Sequence, residues 1–387
     1  MSYRIPFNKP YIVGTESAYI AECLAAAKLS GDGPFSRRCQ SLMQDQFAAP
    51  HVLLTTSCTS ALEMAALLCD LQPGDEVILP SYTFVSTANA FVLRGARLVF
   101  VDIRPDTLNM DEKLLEEAVT SRTRVVVPVH YAGIACEMDA INAVALRHGL
   151  RVVEDAAQGV NATYKGAYLG TLGDFGAYSF HETKNFVCGE GGALVSRRAA
   201  DAQRAEIIRE KGTNRARFFR GEVDKYTWVE TGSSYLPADI LAAFLLGQLE
   251  DMTGITRKRQ LAFERYQAAL QPLVDRGLLR LPTIPSECAP NYHLFYIIVA
   301  DLQTRTALLE HFKQTGILAT FHYVPLHTSP MGSGLGYRQG MLPITESLSE
   351  RLIRLPMYAA LSTAEINEVV GTIFSFFRVP APTEPVA

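Results

Sequence analysis

The sequence has no Cys-x-x-Cys pair, no unbroken apolar run of membrane length and no strong excess of either charge, and each absence closes a class of function. Its seven cysteines, Cys23, Cys39, Cys58, Cys69, Cys136, Cys188 and Cys288, are odd in number and widely spaced. They read as reduced thiols, mostly buried as small hydrophobes, and not as a disulfide framework. The best apolar run, Ile240 to Leu246, is cut by Gly247, Gln248 and Glu250, far short of the roughly 18 residues a membrane span requires. The first ten residues lack a signal-peptide core, which predicts a cytoplasmic protein. Lys and Arg number 36 against 40 Asp and Glu, a net charge of −4. With basic residues clustered only in pairs such as Arg37-Arg38, no nucleic-acid face is expected. The eight histidines have no metal-ligand spacing, so no metal is expected either. His181-Glu182 lacks the second histidine of a zinc-protease helix, and there is no Walker A sequence. Gly332-Ser-Gly-Leu-Gly336 does not complete a dinucleotide fingerprint and reads as a flexible loop.

What is present is a chain of 387 residues, 48% hydrophobic and 20% charged, long enough for one large and one smaller domain around well-buried cores. Ala/Leu spacing predicts a helix over Ser17 to Lys28, broken by Gly31-Asp32-Gly33-Pro34. From residue 50 strands alternate with helices. Strands are expected at Val52 to Thr55, Glu76 to Leu79, Arg97 to Asp102, Arg124 to Val129 and Arg151 to Glu154. Helices are expected at Ser60 to Leu68, Phe84 to Gly95, Asp111 to Val119 and Met138 to His148. That alternation implies βαβ units and an α/β fold with a mostly parallel sheet covered on both faces. Shorter strands at Phe175 to Phe180 and Gly192 to Ser196 precede a helix at Ala199 to Lys211, and a long helical stretch runs from about 236 to Leu273. Strands Leu294 to Ala300 and Ala319 to Val324, with helices Thr304 to Lys313 and Ala364 to Phe376, suggest a compact α+β unit. The expected organisation is a large domain over 1–250 with an N-terminal arm, a small domain over 251–378, and a disordered tail over 379–387.

Two segments carry charge where a plain core would not. Val152-Val153-Glu154-Asp155-Ala156-Ala157-Gln158 runs an apolar strand into acids at its carboxyl end, the edge where open α/β sheets bind ligands. Tyr178-Ser179-Phe180-His181-Glu182-Thr183-Lys184-Asn185 sets one lysine between aromatics and the glycines Gly189, Gly191 and Gly192. Burial lowers a lysine pKa and equips it as a Schiff-base amine. Taken together they suggest pyridoxal phosphate, whose aldehyde needs a lysine and whose ring nitrogen needs an acid. Its phosphate needs a cradle, and Thr55-Thr56-Ser57-Cys58-Thr59-Ser60 lies just before a helix expected to begin at Ala61, with Ser60 and Glu63 spaced as a capping box. Pro80-Ser-Tyr-Thr-Phe84 offers Tyr82 or Phe84 as a flat face for the ring.

In this order the segments closely resemble the DegT/DnrJ/EryC1/StrS sugar aminotransferases, within fold type I of the pyridoxal phosphate enzymes, over about Ile5 to Phe376. The resemblance implies that Lys184 forms the Schiff base and that Asp155 pairs with the pyridinium nitrogen. It implies also that Gln158 lies near the ring hydroxyl, that Phe84 stacks on the ring, and that Cys58, Thr59 and Ser179 lie at the phosphate. Phe-His-Glu-Thr-Lys-Asn at 180–185, Arg-Glu-Lys-Gly-Thr-Asn-Arg at 209–215, Asp224-Lys-Tyr-Thr-Trp228 and Gly232-Ser-Ser-Tyr-Leu236 narrow the likeness. They are similar to members that move an amine from L-glutamate, leaving 2-oxoglutarate, to C4 of dTDP-4-dehydro-6-deoxyglucose, with pyridoxamine phosphate in between; transfer at C3, a C4 product of gluco configuration and a non-catalytic cofactor-binding regulator are the alternatives. The family implies a homodimer with active sites at the subunit interface. Where its members carry an asparagine that reaches the neighbouring subunit's cofactor phosphate, this chain has Ser234. Phe321-His-Tyr-Val-Pro-Leu-His327 matches a run close to the family's sugar-nucleotide site, which makes His327 a substrate-contact candidate, and Arg215, Arg217 and Lys225 are candidates for the diphosphate.

Overall fold

A computed structural model describes residues 3–380. Twelve strands form three sheets: β1 (His51–Thr55), β2 (Glu76–Pro80), β3 (Arg97–Val101), β4 (Thr123–Val126), β5 (Arg151–Asp155), β6 (Thr163–Tyr164), β7 (Ala167–Tyr168), β8 (Phe175–Ser179), β9 (Gly192–Ser196), β10 (Cys288–Ala289), β11 (Tyr296–Ile298) and β12 (Leu352–Arg354). Seven of them make the main sheet in the order β1-β9-β8-β5-β4-β2-β3. The pairs from β8 through β3 are parallel, and β9 runs antiparallel to both of its neighbours, β8 and β1. Six strands therefore point their carboxyl ends to one edge.

The strands are apolar on both faces because both are covered. Val152 enters the cluster formed with the helices Pro34–Phe47, Met138–His148 and Asp239–Glu250, whereas its neighbour Val153 enters the cluster with Cys58–Leu68, Val85–Val92 and Ala199–Arg209. Full burial of one such aliphatic side chain contributes about 1.5–3 kcal/mol. A separate core gathers around β11 and β12 from the helices Met252–Asp275, Leu302–Gln314 and Thr363–Phe377, and Ile5 of the N-terminal arm joins it. The parts interlock, since β10 pairs with β6 and Leu326 N–H donates to Ser81 O at 3.0 Å, just past the carboxyl end of β2. Among the described residues no helix is long and apolar enough to cross a membrane.

Several local expectations need correction. The helix expected from Ser60 begins at Cys58, because the Ser57 hydroxyl accepts the Ser60 N–H at 3.0 Å; Ser57 is the cap, and Ser60–Glu63 forms no capping box. A helix over Pro34–Phe47 was not anticipated, although Phe35, Cys39, Met43 and Phe47 recur every four residues and are all buried. Asp111 to Val119 is a short 3-10 turn followed by Leu115–Ala118. Ala319 to Val324 is not a strand and makes only the single bridge Thr320–Arg354. Within the expected glycine loop, Pro330–Gly334 is helical and is capped by the Ser329 hydroxyl. Val379 packs on the second core with its N–H donating to Phe374 O at 3.1 Å, so the tail does not begin at 379; residues 381–387 lie outside those described.

Candidate active site

A cavity of about 440 Å³ opens at the carboxyl edge of the main sheet, within the size range of small-molecule sites. Lys184, Asp155, Gln158, Phe84, Cys58, Thr59 and Ser179 all line it. Topology brings these sequence-distant residues together: Asp155 ends β5, Ser179 ends β8, and the loops after β1 and β2 deliver Cys58 and Phe84.

Asp155 is held by two donors. Its Oδ2 accepts from Thr87 Oγ1 at 2.6 Å and its Oδ1 from the Ala157 N–H at 3.1 Å. Since the single Thr87 proton goes to the carboxylate, the 2.7 Å contact between Thr87 and Thr83 must be donated by Thr83. This chain fixes Asp155 as an acceptor that a cationic ring N–H in the cavity would complete.

Lys184 lies on a turn after β8, closed by Lys184 N–H to His181 O at 2.9 Å and Glu182 N–H to Gly189 O at 3.0 Å. The next residue pins the turn, as Asn185 Nδ2 donates to Asn291 O at 2.7 Å and Asn185 Oδ1 meets His293 Nδ1 at 2.8 Å. Among the described residues no acceptor takes a hydrogen bond from Lys184 Nζ. Burial pushes its pKa below the ordinary lysine value; Cys58 and Asp155 oppose that shift and Arg354 adds to it. A lysine held in this state is a better nucleophile and proton carrier than a solvated one.

The helix Cys58–Leu68 supplies the anion end. Ser57 caps the Ser60 N–H, so the Cys58 and Thr59 N–H groups in the first turn have no intrahelical acceptor. The Thr59 hydroxyl donates to Ser86 Oγ at 2.8 Å. Glycine is required where β9 passes this turn, because a Cβ on Gly192 would lie 2.3 Å from the Ser57 carbonyl carbon. Burial, with Asp155 nearby, raises the Cys58 thiol well above its ordinary pKa, which argues against a thiolate nucleophile there. Phe84 stands at the N-cap of Val85–Val92 with 58% of its surface exposed, an open aromatic face on the cavity, whereas Tyr82 is buried with its hydroxyl on His322 O. Gln158 spans the site, accepting the Ala132 N–H at 2.7 Å and donating to the Tyr323 hydroxyl at 3.2 Å. An amine, a carboxylate, free amide donors at a helix start and an aromatic face thus meet in one cavity. The residues fit pyridoxal phosphate.

Other expected residues lie elsewhere. His327 is fully buried and outside the cavity, with Nδ1 on Ser81 Oγ at 2.7 Å and Nε2 on Glu346 at 2.9 Å; its ring ties the chain to the end of β2, which leaves no nitrogen for a substrate. Ser234, Lys225 and Arg215 are exposed on an excursion between the helices Ala199–Arg209 and Asp239–Glu250, and Arg215 is paired with Glu210 at 2.6 Å. Arg217 on the same excursion pairs with Glu222 at 3.1 Å. Sequence reasoning missed Thr83, Thr87, His293, His322, Tyr323 and Arg354, which also line or brace the site. The Thr83-x-x-x-Thr87 spacing across a helix start was a usable signal, whereas Arg354 gave none, being one cation in an apolar strand.

The model of the DegT/DnrJ/EryC1/StrS aminotransferase family matches residues 10–374. Spore coat polysaccharide biosynthesis protein SpsC of Bacillus subtilis (strain 168) is 34% identical over 377 residues, 95% of this chain and 96% of that protein. The aminotransferase TlmJ from Streptoalloteichus hindustanus superposes with a TM-score of 0.88 at 31% identity, over 97% of this chain and 99% of that one. Spr1654 from Streptococcus pneumoniae, in its pyridoxal phosphate form, superposes with a TM-score of 0.90 at 26% identity, over 97% and 99% of the two chains.

Proposed function

The chain belongs to the DegT/DnrJ/EryC1/StrS aminotransferase family, and from that premise we propose that it moves the amino group of L-glutamate to C4 of dTDP-4-dehydro-6-deoxy-D-glucose. The product is dTDP-4-amino-4,6-dideoxy-D-galactose, destined for a surface polysaccharide of the enterobacterial common antigen type. It is a sugar aminotransferase whose cofactor is pyridoxal 5′-phosphate, alternating with pyridoxamine phosphate. The observation that carries the chemistry is Lys184 and Asp155 facing one cavity beside the free amides of Cys58 and Thr59. The choice of sugar rests on the stretches at 180–185, 209–215, 224–228 and 232–236, and the polysaccharide role is supported by the name of the Bacillus relative.

When bound, the cofactor supplies a carbonyl that accepts an amine and a cationic ring that withdraws electrons. Lys184 holds the carbonyl end. With cofactor and donor bound, its Nζ would take the proton from the donor's α-carbon and, in the reverse direction, would return one to the sugar carbon. Asp155, fixed by Thr87 and Ala157, would keep the ring nitrogen protonated, and Phe84 would cover one ring face. Gln158 would lie near the ring hydroxyl. Cys58, Thr59 and Ser179 would hold the phosphate.

The excursion bearing Arg215, Lys225 and Ser234 also exposes Phe219 and Trp228, the latter 77% exposed. Apolar surface of this kind suits a homodimer in which the excursion serves the neighbouring subunit's site. The division into a cofactor-binding part, 1–250, and a smaller part, 251–378, accompanies this reading.

The test is to load the protein with pyridoxal phosphate, add L-glutamate, then add dTDP-4-dehydro-6-deoxyglucose while following the cofactor absorption band and analysing the product by NMR. Glutamate is expected to bleach the band and the sugar to restore it, with a C4 amine of galacto configuration. A gluco epimer would overturn the product assignment, and a sugar that fails to restore the band would overturn the substrate assignment; either result leaves the aminotransferase intact.

A further inference from the structure

We propose that Arg354 grips the α-carboxylate of the amino donor and thereby sets the enzyme's preference for α-amino acids; this rests on the reading that the donor is L-glutamate. The chain gives its buried arginines, Arg209 and Arg259, acceptors within the protein. Arg209 forks onto Asp32 at 2.7 and 2.8 Å and also donates to Leu54 O. Arg259 donates to the carbonyls of Tyr292, His293 and Met357. Arg354, at the end of β12, lines the cavity. Among the described residues no carboxylate lies within 4 Å of it and no acceptor takes a bond from any of its guanidinium nitrogens, whereas in Arg209 only the Nε lacks a partner. Its guanidinium carbon sits 4.3 Å from the centroid of the Phe7 ring, so an aromatic face supports the fork. Arginine's rigid fork matches a carboxylate in two parallel hydrogen bonds, and a desolvated cation with no protein anion is built to receive one from a ligand.

Position selects which anion. The phosphate-binding amides belong to the helix Cys58–Leu68, whereas Arg354 belongs to β12 and lies close enough to Lys184 and His322 for its charge to depress both of their pKa values. Lys184 must reach the donor's α-carbon, so the carboxylate on that same carbon falls beside it. The diphosphate of a nucleotide sugar hangs from C1, across the sugar ring from the reacting C4, and is directed away from Lys184.

The test compares R354Q and R354K with the wild-type holoenzyme, measuring kcat and KM separately for the donor and for the nucleotide sugar. R354Q is expected to raise the donor KM about 30- to 100-fold, as loss of a bidentate charged pair does, and to leave the sugar KM within about two-fold. R354K should recover part of the loss, because it restores charge without the fork. 4-Aminobutyrate, which has no α-carboxylate, should react equally slowly with wild type and R354Q. Unchanged cofactor absorption and melting temperature establish that R354Q is folded. A rise in the sugar KM with the donor KM unmoved would overturn the assignment and give Arg354 to the diphosphate. If the wild type accepts L-glutamine in place of L-glutamate, the donor named above is wrong, yet a selective rise in the glutamine KM for R354Q still supports the carboxylate grip.

Discussion

Asp155 and Arg354 look into the same cavity, yet their surroundings treat them oppositely. On the wall built by the main sheet, both oxygens of Asp155 accept from protein donors, and the hydroxyls behind it form a chain, Thr83 to Thr87 to Asp155. On the wall built by β12 and the stretch carrying His322 and Tyr323, Arg354 has no protein acceptor among the described residues, and burial lowers its pKa and that of His322. The difference separates two kinds of ligand. A group that stays bound through every cycle is met by polar side chains already locked into place. A substrate that enters and leaves is met by charge that the protein leaves unmatched.

The largest expected effect comes from removing the amine that serves both walls. Lys184→Ala should leave the fold intact and cut amino transfer by at least about 10⁴-fold, since it removes both the nucleophile and the proton carrier; product formation measured by NMR is the check. Near-normal turnover would end the assignment of Lys184. Asp155→Asn keeps the shape and removes the charge that holds the ring proton. A loss of about 10²- to 10³-fold is expected, with phosphate-end binding retained, read from single-turnover kinetics. Thr87→Val asks whether the locked network matters. Losing one hydrogen bond to a charged group is worth about 1.5–3 kcal/mol, so turnover should fall about ten- to a hundred-fold, with Thr87→Ser restoring most of it. If Val and Ser behave alike, the hydroxyl chain is only packing.

The same two walls differ in how far the sequence revealed them. Short Val- and Ile-rich runs at β2, β4 and β5, bounded by Gly and Pro turns, made the parallel sheet legible, and a carboxylate or lysine at the end of such a run stands out. On the main-sheet wall Asp155 and Lys184 are therefore legible in the sequence, whereas Thr83 and Thr87 behind Asp155, beyond their spacing, are not. The wall's cap was misjudged by one turn, because Ser60-x-x-Glu63 imitates a capping box while Ser57 holds the Ser60 N–H. That shift has consequences, since it is what frees the Cys58 and Thr59 amides. The other wall was hidden. Arg354 is separated from Lys184 by 170 positions, and nothing in Leu352-Ile353-Arg354-Leu355 marks its cation as facing a cavity. The segment 319–324, expected as a strand, folds as an irregular connection that carries His322 and Tyr323 to the site. Local pattern identifies elements, whereas an unpaired charge becomes visible only when its surroundings are known.

The smallest expected effect on turnover, and a measurable one on stability, concerns the histidines beside Lys184. Burial and the neighbouring cations Lys184 and Arg354 hold His293 and His322 below the ordinary histidine pKa, so both rings stay neutral in the folded chain as the pH falls below about 6.5. The unfolded chain takes up a proton at each ring in that range. The unfolded state therefore binds more protons, and stability must fall on acidification from about pH 6.5, by up to about 1.4 kcal/mol per pH unit for each ring. Above pH 7 both states are neutral there and the slope vanishes. Hydrogen-bonded carboxylates such as Glu16 and Glu76 are held below their ordinary values, so their own losses begin only near pH 4.5 and lower, leaving a window between pH 5 and 6.5 for the histidines. Urea unfolding at half-unit intervals across that window should show the decline, and His322→Asn should remove about half of it. A flat profile in the wild type would mean that the rings gain protons in the folded state, and the second wall would then carry more positive charge than Arg354 and Lys184 alone supply.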